Sequence, residues 1–373
     1  MIFLFVKNEK IFFVLSKTIS VYYLDIVHNN YQPPGQDIAE MISLLFAILT
    51  TTIHANLNVV QIPNTNLNTL LFYTCVTPQV LNQCEEGFTL DQTGIVNKGF
   101  SSNFTTINAG AKHNITTLFA VHDTFFENHQ GLRKDWKAAW QTLQIQLIPL
   151  IESRTVTGFM LGDELLSSGK ITLSEFTTAL QAIQILKIKY KQYKLITWEN
   201  SGSEAIITKF KGGIPKELDV ISLDDYYMWE NNTDTPQSQV DGHRHFYQNQ
   251  IYPLLKSHQS VFIVPGSFST RQYSSSPTSP KYPYGNHTYC YNGTIDGCDV
   301  YMAEQAQAYA EWAFEDLRVT GLAPWHWDSR HIGVTSPYKE VGVVDMPKTK
   351  KAWKSIGEQI VAAQKQHKSL ERK

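Results

Sequence analysis

GFMLGDEL, residues 158–165, sets four apolar or small residues in a row before a glycine and two adjacent carboxylates. The run Gly158 to Leu161 has the composition of a short strand buried on both faces. Asp163 and Glu164 then stand where that strand emerges. Carboxylates at the carboxyl end of a buried parallel strand are costly there without a partner or a task. In a barrel of alternating strands and helices, that end is where chemistry is done. The competing reading has Asp163 capping the next helix and Glu164 paired with a Lys or Arg.

The flanking sequence repeats the pattern. Upstream, Ile115–Val121 predicts a strand ending in His122-Asp123, and Leu132–Ile151 has the apolar spacing of a helix, with Pro149 near its end. Downstream, Thr172 with Glu175 forms a capping-box signature for a helix reaching Tyr193. Strands are then expected at Leu195–Trp198, Leu218–Leu223, Ser260–Pro265 and Gly321–Trp325. Helices are expected at Val240–Ser257, Tyr301–Val319 and Met346–Gln364, with a helix at Gly99–Lys112 near the front. Strands spaced by helices of this length are parallel βαβ units. Six strands are counted back to Ile115, and Leu70–Val76 makes seven. The eighth falls either at Leu57–Ile62 or irregularly between residues 85 and 100. The fold class is therefore α/β, a (β/α)8 TIM barrel with elaborated loops over residues 56–366. An open doubly wound sheet is the alternative, and no Gly-rich phosphate turn follows the first strand. Ser267–Val300 is a long irregular segment, expected over the barrel mouth.

A chain of 373 residues, 42% hydrophobic, buries a large core. Its formal net charge of −2 argues against a nucleic-acid partner. Residues 1–55 read as a signal-peptide region. Met41 opens MISLLFAILTTTIHA, which ends in a small-residue cleavage site at Ala55, so that residues 1–40 read as an over-extended gene model. The chain contains no stretch of the roughly 18 to 20 unbroken apolar residues that a spanning helix needs. Five Asn-X-Ser/Thr acceptors (Asn103, Asn114, Asn231, Asn286, Asn292) point to export. So do two close cysteine pairs, Cys75 with Cys84 and Cys290 with Cys298, which suit small disulfide loops outside the cell or in a lysosome-like compartment. A zinc site is the alternative use of those cysteines, but their spacing fits no common template. His122, His326 and His331 have no ligand spacing either, so no metal or other cofactor is expected. Ser267 and Ser269 lack a nucleophile elbow. Residues 367–373 read as a solvated basic tail.

The polar residues gather at strand ends: Asp123; Asp163 and Glu164; Trp198 with Glu199; Asp225 with Tyr226 and Tyr227; and Trp325, Trp327 and Asp328. Acids beside tryptophan and tyrosine describe a carbohydrate pocket, where carboxylates bind hydroxyls and rings stack on the sugar face. The order of parts is similar to that of the (β/α)8 glycoside hydrolases, over roughly residues 68–365. Gly162-Asp163-Glu164 resembles the Gly-Asp-Glu of β-hexosaminidases. That resemblance implies Glu164 as the acid that protonates the glycosidic oxygen. Asp163 would orient the substrate's acetamido group, which acts as the internal nucleophile. It also implies that Trp198, Tyr226 and Trp325 or Trp327 line the pocket. The chain departs from the retaining enzymes in one place: Val261–Phe268, on the seventh strand, holds no glutamate. That gap fits the substrate-assisted scheme, a nucleophile moved to another strand end at Asp225 or Glu199, or a catalytically inactive glycan-binding or scaffold barrel. Glu164 is also expected to hold its proton near neutral pH, through an ionised Asp163 and tryptophan walls.

Overall fold

A computed structural model describes residues 2–7, 10–15, 20–25, 66–73, 92–127, 130–167, 169, 171–223, 235–272, 295–331 and 338–370. The chain divides into two compact units, Met1–Gln61 and Ile62–Lys373. In the first, β1 (Ile2–Lys7), β2 (Lys10–Leu15) and β3 (Ser20–Asp25) form an antiparallel sheet in sequential order. Its strands are rich in Val, Ile, Phe and Tyr, as strands are. Lys7 and Lys10, which break the apolar run in the sequence, are register partners at one end of the β1–β2 pair.

The second unit is a (β/α)8 barrel, nearly closed. Its parallel strands are β4 (Thr69–Leu70), β5 (Lys98–Ser101), β6 (Thr116–Ala120), β7 (Val156–Asp163), β8 (Ile196–Ser201), β9 (Val220–Leu223), β10 (Ser260–Ile263) and β12 (Val319–Leu322). Between and after them run α1 (Phe104–Ala111), the short α2 (His122–Phe125), α3 (Trp136–Glu152), α4 (Leu173–Lys189), α5 (Ser203–Lys209), α6 (Pro236–Phe246), α7 (Ile295–Glu315) and α8 (Pro347–Leu370). The capping box at Thr172 is present, its hydroxyl and the Glu175 carboxylate each satisfying the other's backbone N–H. Each of the eight parallel strands, or the residues just past its end, contributes to one interior cluster, among them Tyr73, Phe100, Met160, Trp198, Phe262 and Ala323. A larger cluster fills the shell between strands and helices.

The ladder is unbroken from β5 through β6 to β12 and on to β4, and ends there. At the remaining seam Asn97 stands in for a strand partner. Its carboxamide oxygen accepts from the Leu70 N–H at 2.9 Å, and its own N–H donates to the Leu70 carbonyl at 3.2 Å. Helix α8 crosses the seam so closely that a Cβ on Gly357 would meet the Ile95 carbonyl oxygen and, at 3.2 Å, a methyl of Leu70. Gly357→Ala raises helix propensity by about 1 kcal/mol, yet backbone cannot move aside as a side chain can. A net loss of about 2 kcal/mol is therefore expected in urea unfolding. A stabilised variant would contradict this packing.

Several sequence expectations change. Of the two places expected for the eighth strand the structure uses the later, extending it by one residue as Lys98–Ser101, and the helix expected from Gly99 begins at Phe104, capped by the Asn103 side chain. Four residues, KGFS, are too few and too polar to announce a strand. β8 runs on to Ser201, so Glu199 and Asn200 lie within it rather than past it. Val240–Ser257 is α6 followed by a π turn at Tyr247–Ile251 and a 3-10 turn at Tyr252–Leu254. Part of the long segment after β10 is ordered as β11 (Ser269–Gln272). It pairs with β14 (Tyr338–Val341), which in turn pairs with β13 (Arg330–His331). Helix α8 carries the chain on to Leu370, through the start of the expected tail. Cys298 is buried near the start of α7; Cys75, Cys84 and Cys290 lie outside the described residues. Among the described residues, no helix is long and apolar enough to cross a membrane.

Candidate active site

The carboxyl end of β7 is shaped by a bulge. Phe159 and Leu161 face the outer shell while Met160 faces the barrel interior. Continued alternation would turn Asp163 outward. The register to β8 slips between Met160 and Asp163, and that slip swings Asp163 inward. Gly162 is required at the slip because Leu165 folds back over it, occupying the space of any Cβ.

Inside the barrel Asp163 meets a fixed polar chain. The Trp198 indole N–H donates to the Ser222 hydroxyl at 2.8 Å, and that hydroxyl donates to the Asn200 Oδ1 at 2.6 Å. The Asn200 Nδ2 then donates to the Asp163 Oδ1 at 2.6 Å. Both hydrogens and the orientation of Asn200 are thereby set, and with them the carboxyl's position. Burial pushes Asp163 up from an ordinary 3.8 to about 6, and the nearby Glu164 charge adds to the rise. Asn200, His122 and Tyr73 pull the other way. The expected distribution placed the raised carboxyl at Glu164; the group that the structure pushes up is Asp163, because it is the one that turns into the barrel.

Glu164 takes a left-handed φ of 52°. Its N–H donates to the Asn200 carbonyl at 2.8 Å, so the turn leaves the strand with the ladder intact. The side chain is exposed at the rim, with no tryptophan wall around it among the described residues. A non-glycine residue in this conformation costs about 1 kcal/mol, and such strain collects at working sites.

The floor beneath the pair is aromatic. Tyr73 lies 4.9 Å from Phe100, 5.0 Å from Trp325 and 6.0 Å from Trp198, ring centre to ring centre. Trp325 is half-buried just past the end of β12. Trp327, two residues on, is buried in the outer shell against Phe72 and Trp353 and does not reach the interior. Glu199 occupies the strand face opposite Trp198 and Asn200. It is fully buried, and its two oxygens make no hydrogen bond among the described residues. Burial first, then the charge of Asp163, raises it well above 4.5. The Leu165 and Gly162 amides face it without reaching hydrogen-bond geometry and offset only part of that rise. Asp123 is on the outer side of α2, its side chain 79% exposed beside His122. Asp328 is partly buried beyond Trp327. Asp225, Tyr226 and Tyr227 lie outside the described residues.

The structure thus brings Asp163, Glu164, Trp198 and Trp325 to one end of the barrel; Glu199 lies behind the same bend on the outward face of β8, Asp123 is exposed beside His122, and Trp327 is in the outer shell. Tyr73, His122, Asn200 and Ser222 join the site without having been singled out for it. Asn200 was accessible from spacing alone, since it lies two residues beyond Trp198 and must share its face. Among the described residues, no group of three His, Cys, Asp or Glu side chains could hold a metal ion.

Solved structures similar to this chain include glycoside hydrolases. A GH2 β-galacturonidase from Eisenbergiella tayi has 12% identity and a TM-score of 0.48, over 79% of this chain and 51% of that one. A GH10 xylanase from Bispora sp. MEY-1 has 10% identity and a TM-score of 0.39, over 67% of this chain and 81% of its own. Xylanase 10B from Thermotoga maritima has 11% and 0.40, over 80% of this chain and 98% of its own. The chain spans about half the length of the GH2 structure. At these identities the likeness is one of fold alone. No family model matches the sequence, and no curated protein does.

Proposed function

We propose that this barrel is an exported glycoside hydrolase in which Glu164 protonates the glycosidic oxygen and later, as a carboxylate, takes a proton from the attacking water. The observation that carries the reading is the pair at the end of β7: one carboxyl exposed at the rim, its neighbour half-buried and held by Asn200 above an aromatic floor. Above about pH 6 the Asp163 carboxylate is ionised and can accept the N–H of an acetamido group. The acetamido oxygen then attacks the anomeric carbon as the leaving group takes the Glu164 proton, so no second enzyme carboxylate is needed. This is the chemistry that Gly-Asp-Glu resembles, and it fits a β10 end, Val264 to Ser267, that offers no acid. Trp325 supplies a face for stacking. Export rests on the apolar run ending at Ala55, the glycosylation acceptors and the paired cysteines.

The same β10 end favours a second reading, a barrel that binds glycans without cleaving them. Turnover of a panel of nitrophenyl glycosides, including the N-acetyl-β-glucosaminide, separates the two. Hydrolysis by the wild type that falls about 10²–10⁴-fold in Glu164→Gln supports the enzyme. Full activity in that variant, or saccharide binding without turnover by the wild type, overturns it.

A further inference from the structure

The opposite end of the barrel holds a second cluster. Four turns that carry the chain from a helix into the next strand use a left-handed residue: Asn114 (φ 60°), Arg154 (φ 61°), Lys194 (φ 51°) and Gly213 (φ 94°). Glycine and asparagine adopt this conformation most readily, and other residues do so at a cost. The turns before β6 and β9 follow that preference. The turns before β7 and β8 do not, and it is their Arg154 and Lys194 that line a single cavity of about 360 Å³, with Thr157, Gln192 and Tyr193 in its wall.

A third cation is bonded to that wall. Lys98 Nζ donates to the Thr157 hydroxyl at 3.1 Å and reaches the Thr116 hydroxyl at 3.5 Å. Burial lowers its pKa from 10.5 to about 8, as expected for an ammonium group without a counter-charge. None of the three cations is ion-paired with a described carboxylate. A cation near a helix carboxyl terminus offsets the helix dipole, which accounts for Arg154 or Lys194 taken singly. It does not account for both of them lining one cavity whose wall residue Thr157 is also bonded to Lys98.

We propose that this cavity binds a small tetrahedral oxyanion, phosphate or sulfate, free or as an ester on a small molecule. The Arg154 guanidinium offers a planar fork to two of its oxygens and Lys194 a point charge to a third. Thr157 and Tyr193 supply neutral donors, and Lys98 supplies positive potential through Thr157. The cavity adjoins the amino-terminal ends of β7 and β8, away from Asp163 and Glu164, so binding is independent of any hydrolysis at the rim.

Calorimetric titration of the full chain with inorganic phosphate, sulfate and glucose 6-phosphate, each against sodium chloride of equal ionic strength, tests this. Saturable binding above the chloride control is expected. A tighter ester than inorganic phosphate marks an esterified ligand, and equal affinities mark the free ion. Arg154→Gly with Lys194→Gly is the decisive variant, because glycine relaxes both left-handed turns while removing both charges. Thermal unfolding should hold or rise, and affinity should fall about 100-fold, tenfold for each lost charge-assisted contact. No saturable binding, or undiminished affinity in the glycine variant, overturns the proposal.

Discussion

Asp163→Asn is expected to make the protein more stable at pH 7 while disabling it. The folded-state pKa of Asp163 lies near 6 against an ordinary 3.8. A raised folded pKa contributes stability that is fully present below the unfolded value and is lost as pH rises through the folded one. At pH 7 the wild type has lost that contribution, which for about two pKa units is about 2–3 kcal/mol. Asparagine keeps an Oδ1 for the Asn200 N–H and carries no charge to bury. The variant should therefore exceed the wild type by about 2–3 kcal/mol in denaturant unfolding at pH 7, and the gap should close near pH 4. Toward an N-acetylhexosaminide, kcat/KM should fall about 10–100-fold, the loss of one charge-assisted acceptor. The wild type's acid limb near pH 6 should vanish with it. An Asn variant less stable than the wild type at pH 7 would mean that Asp163 is a structural anchor. Stability gained at the expense of function is the trade expected of a working residue.

Glu199→Met should show the stability gain without the loss of activity. Glu199 is fully buried with no hydrogen bond among the described residues, and methionine fills nearly the same volume without polar atoms. Removing a buried unsatisfied carboxyl is expected to stabilise the fold by about 2–3 kcal/mol at pH 7. The sign of the pH dependence is the same as for Asp163. The folded pKa is raised, so the wild type recovers stability as pH falls toward 4.5 and the two proteins converge. Unfolding at pH 7 and pH 5 measures the gap, and nitrophenyl glycoside turnover measures the site. A drop in kcat with the fold intact would return Glu199 to the working residues. With two buried acids of like sign, the barrel gains stability on mild acidification.

These two residues also show how far the sequence could be read. Strands with apolar runs, such as Gly158–Leu161, and the helix behind the Thr172–Glu175 box lie where expected. Strand β5 was hidden because KGFS has neither length nor pattern. Within the site, clustering of acids at strand ends was legible, but not which face each would take. Face is decided by parity along the strand, and parity depends on where a strand ends and whether it bulges. Asp163 turns inward only because of the slip after Met160, and Glu199 turns outward because β8 continues to Ser201. Trp325 and Trp327 part company beyond the end of β12, where the chain no longer follows a strand's alternation and two residues of one type two positions apart reach different clusters. Neither a bulge nor a strand end leaves a composition signal strong enough to find by inspection.

The seam at Asn97 has a consequence for how the ring is made. Thr69 and Leu70 find their ladder partners in Gly321 and Leu322, at the far end of the chain, rather than in the strand that follows them. The helix that lies over the join, α8, comes later still, and its Gln364 reaches back to the Asn68 carbonyl. A chain emerging from the ribosome therefore holds its first stave only through Asn97 until nearly all the rest has been synthesised, and closure waits on contacts of the longest sequence separation. Loss of the last helix would loosen the first strand before it loosened any other.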